Sequence, residues 1–210
     1  VAVDSSGNVY TTGDFRGTVD FDPGAGTANL TSTGSDNAFV VKLDSSGNYV
    51  WAKVLNGAQV WGFSVAVDSS GNVYTTGYGN QADLNPNPSE TDTIEGGGVF
   101  VSKLDSSGDY VWGKGFGLRG YGYAVAVDSS GNVYTTGTLR CWPTSGSPVD
   151  FDPGAGTANL TCSNGGTQDV FVSKLDSSGD YVWAKNFGGS GNTDQGWSVA
   201  VDSSGNVYTT

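Results

Sequence analysis

The residues best equipped for chemistry in this chain are its carboxylates, and two clusters of them share one spacing: Asp20-Phe21-Asp22-Pro23-Gly24 and Asp150-Phe151-Asp152-Pro153-Gly154. Carboxylates at alternate positions followed by glycine suit calcium, whose oxygen ligands come from alternate residues of a loop that bends at a glycine. Asp-Pro-Gly is also an ordinary turn, and no third acidic residue follows at calcium-loop spacing. Asp20, Asp22, Asp150 and Asp152 are therefore calcium candidates weighed against a purely structural turn, and calcium is the one cofactor the sequence brings into question. Histidine is absent and cysteine occurs twice, which excludes a Ser-His-Asp triad, a His-containing zinc site and a zinc site of four thiolates. Paired aspartates can still serve glycoside hydrolysis. Nearly every Asp here, however, lies in a repeated turn that already accounts for its position, so the expectation is a protein that is not an enzyme, with an Asp-dependent carbohydrate-active enzyme as the remote alternative.

Other side chains suggest binding or bridging. Cys141 and Cys162 bracket an insertion and have no other partner; a disulfide between them is expected, closing a loop of about twenty residues and stabilising by roughly 3 kcal/mol. Asn29-Leu30-Thr31 and Asn159-Leu160-Thr161 match the N-glycosylation acceptor pattern. Trp51, Trp112 and Trp183 recur in register, as do Phe63, Tyr123 and Trp197, and residues repeated in register are expected to pack between units. Trp61, Tyr78, Tyr121 and Trp142 fall outside the register and are the candidates for a contact surface. Lys42, Lys103 and Lys174, with Lys53, Lys114 and Lys185, form ladders expected to pair with turn carboxylates.

The elements that must position these residues come from two interleaved motifs. VAVDSSGNVYTT begins at Val1, Val65, Val125 and Val199, and KLDSSG(N/D)YVW(A/G)K begins at Lys42, Lys103 and Lys174. In each, short β-branched and aromatic runs flank a cluster of turn formers, which reads as strand, turn, strand. Asp at the start of the turn can accept backbone hydrogen bonds, and the glycine can take positive φ. Each unit thus holds four antiparallel strands. Phe39, Val41 and Leu43 alternate with an equally apolar Val40, so both sheet faces expect cover, as in propeller blades stacked face to face. No segment shows helical apolar spacing. The fold class is all-β, with tandem four-stranded blades.

Composition excludes several functions. Charged residues are 14% of the chain against about 25% in a typical globular protein. A net charge of −12 with scattered Lys and Arg argues against nucleic acid, and no apolar run is long enough for a membrane span. Methionine is absent even at the first position, which suggests a processed product or an interior segment.

VAVDSSGNVYTTG, VDFDPGAGTANLTS and FVVKLDSSGNYVWAK together resemble the SBBP-type β-propeller repeat of bacterial exported proteins, and the AVDSSGNVY core is also similar to the NHL repeat. The resemblance spans the chain as blade units 1–64, 65–124 and 125–198, with 199–210 as the first hairpin of an incomplete fourth. It implies four-stranded blades and an extracellular or cell-surface scaffold. In the middle unit Asp83-Leu84-Asn85-Pro86 replaces the Asp-Phe-Asp-Pro pattern. Three and a half units fall short of the about four blades of the smallest closed propellers, so the array is read as open, as completed by another chain, or as part of a longer one. The expected function is a structural protein that self-assembles into a filament or surface layer, or mediates adhesion. Its expected partners are copies of itself and, in the alternative reading as a monomeric binding module, glycans or proteins.

Overall fold

The computed structural model describes residues 1–118, 120–141, 148–162, 168–190 and 193–210. Its strands run in chain order as β1 (Ala2–Val3), β2 (Val9–Phe15), β3 (Thr18–Asp20), β4 (Asn29–Thr31), β5 (Asn37–Leu43) and β6 (Tyr49–Leu55). The next four are β7 (Gln59–Val67), β8 (Val73–Asn80), β9 (Gly97–Leu104) and β10 (Tyr110–Leu118). They are followed by β11 (Gly120–Val127), β12 (Val133–Arg140), β13 (Val149–Asp150), β14 (Asn159–Leu160), β15 (Gln168–Leu175) and β16 (Tyr181–Phe187), and finally β17 (Val199–Val201) and β18 (Val207–Thr209). Three four-stranded sheets result, ordered β1-β2-β5-β6, β7-β8-β9-β10 and β11-β12-β15-β16, with β3-β4, β13-β14 and β17-β18 as separate hairpins. The chain is all-β, and among the described residues the sheets form no closed propeller.

The hairpin turns explain why the repeated motifs are so invariant. Asp68 Oδ1 accepts the N–H groups of Ser70 and Asn72 at 2.9 Å each, while Oδ2 accepts the Asn72 side-chain amide at 2.8 Å and the Tyr74 hydroxyl at 2.9 Å. Gly71 closes the turn at φ 81°, a conformation that costs glycine little and other residues much. One aspartate thus organises the turn and also pairs the hydroxyl of Tyr74, which is wholly buried. Burial pushes the Asp68 carboxyl upward, but the bonds from Asn72, Tyr74 and Ser70 outweigh it and hold it below the usual carboxylate value. The same four bonds recur at Asp4, Asp128 and Asp202.

Cover for both sheet faces comes from neighbouring sheets. Tyr10, Val40 and Trp51 of the first sheet pack with Val65, Val73 and Leu104 of the second; Val99, Trp112 and Phe116 of the second pack with Val125, Val133 and Phe171 of the third. Burying each such aliphatic or aromatic side chain contributes roughly 1.5 to 3 kcal/mol. The outermost strand of one sheet leads directly into the first strand of the next, and these first strands approach one another: β7 touches β1, and β11 touches β7 and β17. Residues carried on β7, β11 and the approach to β17 are therefore brought side by side.

Candidate functional site

Those first strands carry a row of aromatic rings. In β7 the register slips between Gly62 and Ser64, leaving Phe63 as the extra residue; in β11 it slips between Gly122 and Ala124, leaving Tyr123. A bulge re-aims the side chain it carries. The preceding glycines fix the row against the neighbouring sheet. A Cβ at Gly62, Gly122 or Gly196 would fall inside contact distance of Oγ1 of Thr12, Thr76 or Thr136 respectively. Each of these threonines is itself held by donating to a carbonyl, of Phe39, Phe100 or Phe171, at 2.7 Å. Glycine lets the sheets close, and the aromatic residue after it is turned outward.

The rings form one continuous strip. Trp61 lies 5.4 Å from Tyr78, which lies 5.3 Å from Tyr121. Phe63 lies 5.6 Å from Tyr123, and Tyr123 stacks on Trp197 with centroids 4.6 Å apart. Phe63 is 40% and Trp197 61% exposed. At one edge the Arg140 guanidinium sits 4.8 Å over the Tyr121 ring and donates to its hydroxyl at 3.3 Å. Burial pushes the Tyr123 hydroxyl above its ordinary value. Exposed ring faces interleaved with hydroxyls and a guanidinium can stack on a flat partner and hydrogen-bond its rim.

Trp61, Tyr78 and Tyr121, the residues expected to form a contact surface, lie side by side and half-buried, while Trp142 lies outside the described residues. Phe63, Tyr123 and Trp197 were expected to pack between units. They do so, Phe63 against Tyr123 and Tyr123 against Trp197 across successive sheets, with Tyr123 half-buried and Phe63 and Trp197 left 40% and 61% exposed. Gly-aromatic-x-Val, present as Gly62-Phe63-Ser64-Val65, Gly122-Tyr123-Ala124-Val125 and Gly196-Trp197-Ser198-Val199, was the signal that could have found them.

The other ring ladder is a clasp between sheets. Lys42 and Trp51 are cross-strand partners, and both donate to the Ser106 carbonyl of the next sheet at 3.3 Å. Lys42 also lies 5.2 Å over the Tyr10 ring. Lys53 pairs with Asp109 at 3.6 Å, and Gly108, at φ 81°, rests on the Trp51 indole. The second junction repeats this with Lys103 and Trp112 donating to Ser177 O at 3.3 and 3.2 Å and Gly179 on the Trp112 indole. Lys174, Trp183 and Tyr134 form the same arrangement in the third sheet. Of the expected lysine-to-carboxylate pairs, Lys53 makes one; Lys42, Lys103 and Lys174 lie on tyrosine rings instead.

The Asp-Phe-Asp-Pro loops direct their carboxylates inward on themselves. Asp20 Oδ1 accepts the N–H groups of Asp22 and Ala28 at 3.0 and 2.8 Å, and Asp22 Oδ1 accepts that of Gly24 at 2.7 Å. Asp150 and Asp152 repeat the pattern. The two backbone bonds, that from Ala28 foremost, hold the Asp20 carboxyl below its ordinary value. In the divergent middle unit Asp83 and Asn85 make the corresponding bonds, with the neutral amide of Asn85 in the place of Asp22. An uncharged residue serves there because the loop needs an acceptor and not a charge. Among the described residues no three Asp, Glu, Cys or His side chains gather in a way that could hold a metal. Phe151 packs on Phe171 and on Phe116 of the preceding sheet, which gives the loop its anchor. Cys141 and Cys162 are disulfide-bonded, with Cα atoms 5.9 Å apart. Asn29 and Asn159 are both exposed at the ends of their short strands.

Stacked four-stranded antiparallel sheets, joined outer strand to inner strand and clasped at each junction, define a protein of the β-propeller repeat class. The SBBP family, described as a beta-propeller repeat, matches residues 51–85 and 182–210, so the chain carries SBBP repeats. Both matched stretches begin in the outermost strand of one sheet and run through the first hairpin of the next, across Trp61 and Tyr78 in one case and Trp197 in the other. The chain is also 27% identical over 233 aligned residues to an uncharacterized WD repeat-containing protein, L264, of Acanthamoeba polyphaga mimivirus. That alignment covers 96% of this chain but only 16% of the relative's length.

Proposed function

We propose that this is a non-catalytic structural repeat protein, working outside the cell or at its surface, that assembles by adding blade to blade. The observation that carries the reading is the clasp. Its donors, Lys42 and Trp51 or Lys103 and Trp112, lie on one face of a sheet, and its acceptor, the carbonyl of Ser106 or Ser177, lies on a turn of the following sheet. Such a contact is heterologous, so it has no built-in stop and gives rings or filaments according to the rotation per unit. Lys174 and Trp183 repeat the donor arrangement, and Ser45-Ser46-Gly47 repeats the acceptor turn sequence. The disulfide fits an oxidising compartment. A structural role is further supported by the turn aspartates, whose oxygens are engaged by backbone, Asn and Tyr donors.

Electron microscopy and sedimentation of the purified protein test the reading. Ordered polymers or rings that grow with concentration and are lost in Trp183→Ala are expected. Monodisperse particles of single-chain mass at every concentration overturn it. Turnover of any member of a polysaccharide panel, abolished by an Asp→Asn change in a loop, would overturn the non-catalytic part.

A further inference from the structure

The loop between β8 and β9, where the middle unit departs from the other two, has a cavity on each side of it. The smaller, about 380 Å³, is bounded by Lys53 of the first sheet; the larger, about 420 Å³, lies between the second sheet and Pro153 of the third unit. The two are furnished alike. Each takes a lysine from the outermost strand of a sheet, Lys53 of β6 or Lys114 of β10, at one and the same position of the repeat. Each also takes from the loop one of the only two glutamates in the chain, Glu90 or Glu95.

The cavities differ in how those charges are met. In the smaller, Lys53 pairs with Asp109 at 3.6 Å and Glu90 accepts the side-chain amide of Asn85 at 3.3 Å, so its charges are answered from within. In the larger, Lys114 is half-buried, and neither it nor Glu95 makes an ion pair or side-chain hydrogen bond among the described residues. Asp92, half-buried in the same wall, is fixed by its N–H to Asp83 and by the Tyr110 hydroxyl, which donates to its Oδ2. Tyr49 and Tyr181, at the same repeat position as Tyr110, instead accept the N–H groups of Ala52 and Ala184, so only the middle unit spends this tyrosine on holding a carboxylate at a cavity. A charge drawn out of water without a counter-charge is costly. Opposite charges that line one cavity without meeting leave a place for a small molecule that carries both. Ile94, Phe116 and Pro153 add apolar wall, and the volume lies in the range of small-molecule sites, about 300 to 1,000 Å³. We propose that this cavity binds a free amino acid with an aliphatic side chain, its carboxylate on Lys114, its ammonium on Glu95 and Asp92, and its side chain against the apolar wall.

Leucine and two analogues that each lack one charge, 4-methylpentanoate and 3-methylbutylamine, titrated into the intact protein by calorimetry, provide the test. Leucine is expected to bind saturably and more tightly than either analogue. Lys114→Gln should weaken leucine by roughly tenfold or more, the loss of one charge-assisted bond, and remove its advantage over the amine. Glu95→Gln should narrow its advantage over the acid, while Glu90→Gln, in the smaller cavity, should leave leucine binding unchanged. An unchanged melting temperature certifies the fold of each variant, and the two analogues test the charge requirement without any substitution. The proposal is overturned by absence of saturable binding at millimolar leucine, by either analogue binding as tightly as leucine, by affinity that ignores Lys114→Gln, or by a loss in Glu90→Gln as large as in Glu95→Gln. All walls of the cavity belong to one chain, so the result does not depend on whether the protein polymerises.

Discussion

The rim clasp and the inner aromatic strip are both built of aromatic residues repeated once per sheet, yet they obey different rules. At the rim the residue is tryptophan every time, and Trp51 and Trp112 are each 8% exposed. The indole N–H must reach one particular carbonyl while its ring supports one particular glycine, so no other side chain serves. Along the strip the residue is Phe63, then Tyr123, then Trp197, with Phe63 40% and Trp197 61% exposed and Tyr123 half-buried between them. What is kept there is a ring face, not a hydrogen bond or a volume. The contrast teaches that identity in register reports a specific hydrogen bond between sheets, whereas a position held only to aromatic character reports a ring that stacks on the next sheet's ring without one.

Truncating the rim should produce the largest effect. Trp112→Ala removes a buried indole from the junction of the second and third sheets and leaves the Ser177 carbonyl with one donor fewer, so a loss of about 3 to 5 kcal/mol is expected from a thermal or urea unfolding curve. A loss below about 1 kcal/mol would erase the distinction between rim and strip. The next effect tests the hinge between the two regions. Gly122→Ala places a methyl against Oγ1 of Thr76, which cannot swing away without breaking its 2.7 Å bond to the Phe100 carbonyl. Overpacking of this kind costs roughly 1 to 3 kcal/mol, and the companion Thr76→Ala in the same chain should recover part of it if the glycine is there for close approach.

Much of the rim was legible in the sequence. The order of the two motifs gave the hairpins, the double-sided apolar strands gave stacked sheets, and the invariant Trp gave packing between them. The paired Cys141 and Cys162 were legible because no alternative partner existed. The strip was legible only in part. Trp61, Tyr78 and Tyr121 read as lying outside the register, yet Trp61 and Tyr121 stand at one position of the repeat, each two residues before the ring that packs between sheets; the partial exposure of Phe63 was hidden because a bulge leaves no mark in an alternation pattern beyond the glycine that precedes it. Arg140 carried no sequence signal at all, since its place over Tyr121 follows from strand register, Tyr121 facing Thr138 two residues before it. In the Asp-Phe-Asp-Pro loops, where the spacing suggested calcium, the structure adds what the spacing alone did not show, that Asp20, Asp22, Asp150 and Asp152 accept bonds from their own loop backbone.

Acid should separate the regions further. The Asn8 side chain, more than any other donor, lowers the Asp4 carboxyl from 3.8 to about 2, and Asp44, Asp68, Asp128 and Asp202 are lowered by the equivalent bonds. A carboxyl whose folded value lies below its unfolded one contributes stability that is fully present above the unfolded value and is lost as pH falls through the folded one. The melting temperature should therefore hold from neutral pH to the upper fours and fall between about pH 3.8 and 2. Asp68→Asn should flatten that fall, while substitutions in the strip, where no lowered carboxylate lies, should leave its shape unchanged.

The smallest expected effect carries the most information about the strip. Trp197 stacks on Tyr123 but is 61% exposed, so Trp197→Ala removes little buried area and should shift stability by no more than about 0.5 kcal/mol. Set beside Trp112→Ala, the same chemical change should differ several-fold in cost solely because of where the indole points. A loss of 2 kcal/mol or more at Trp197 would make it a packing residue like those of the rim, and the outward turn of the ring would then be a by-product of the bulge. A near-neutral result would show that the stack on Tyr123 adds little to stability at this position, in contrast to the buried indoles of the rim.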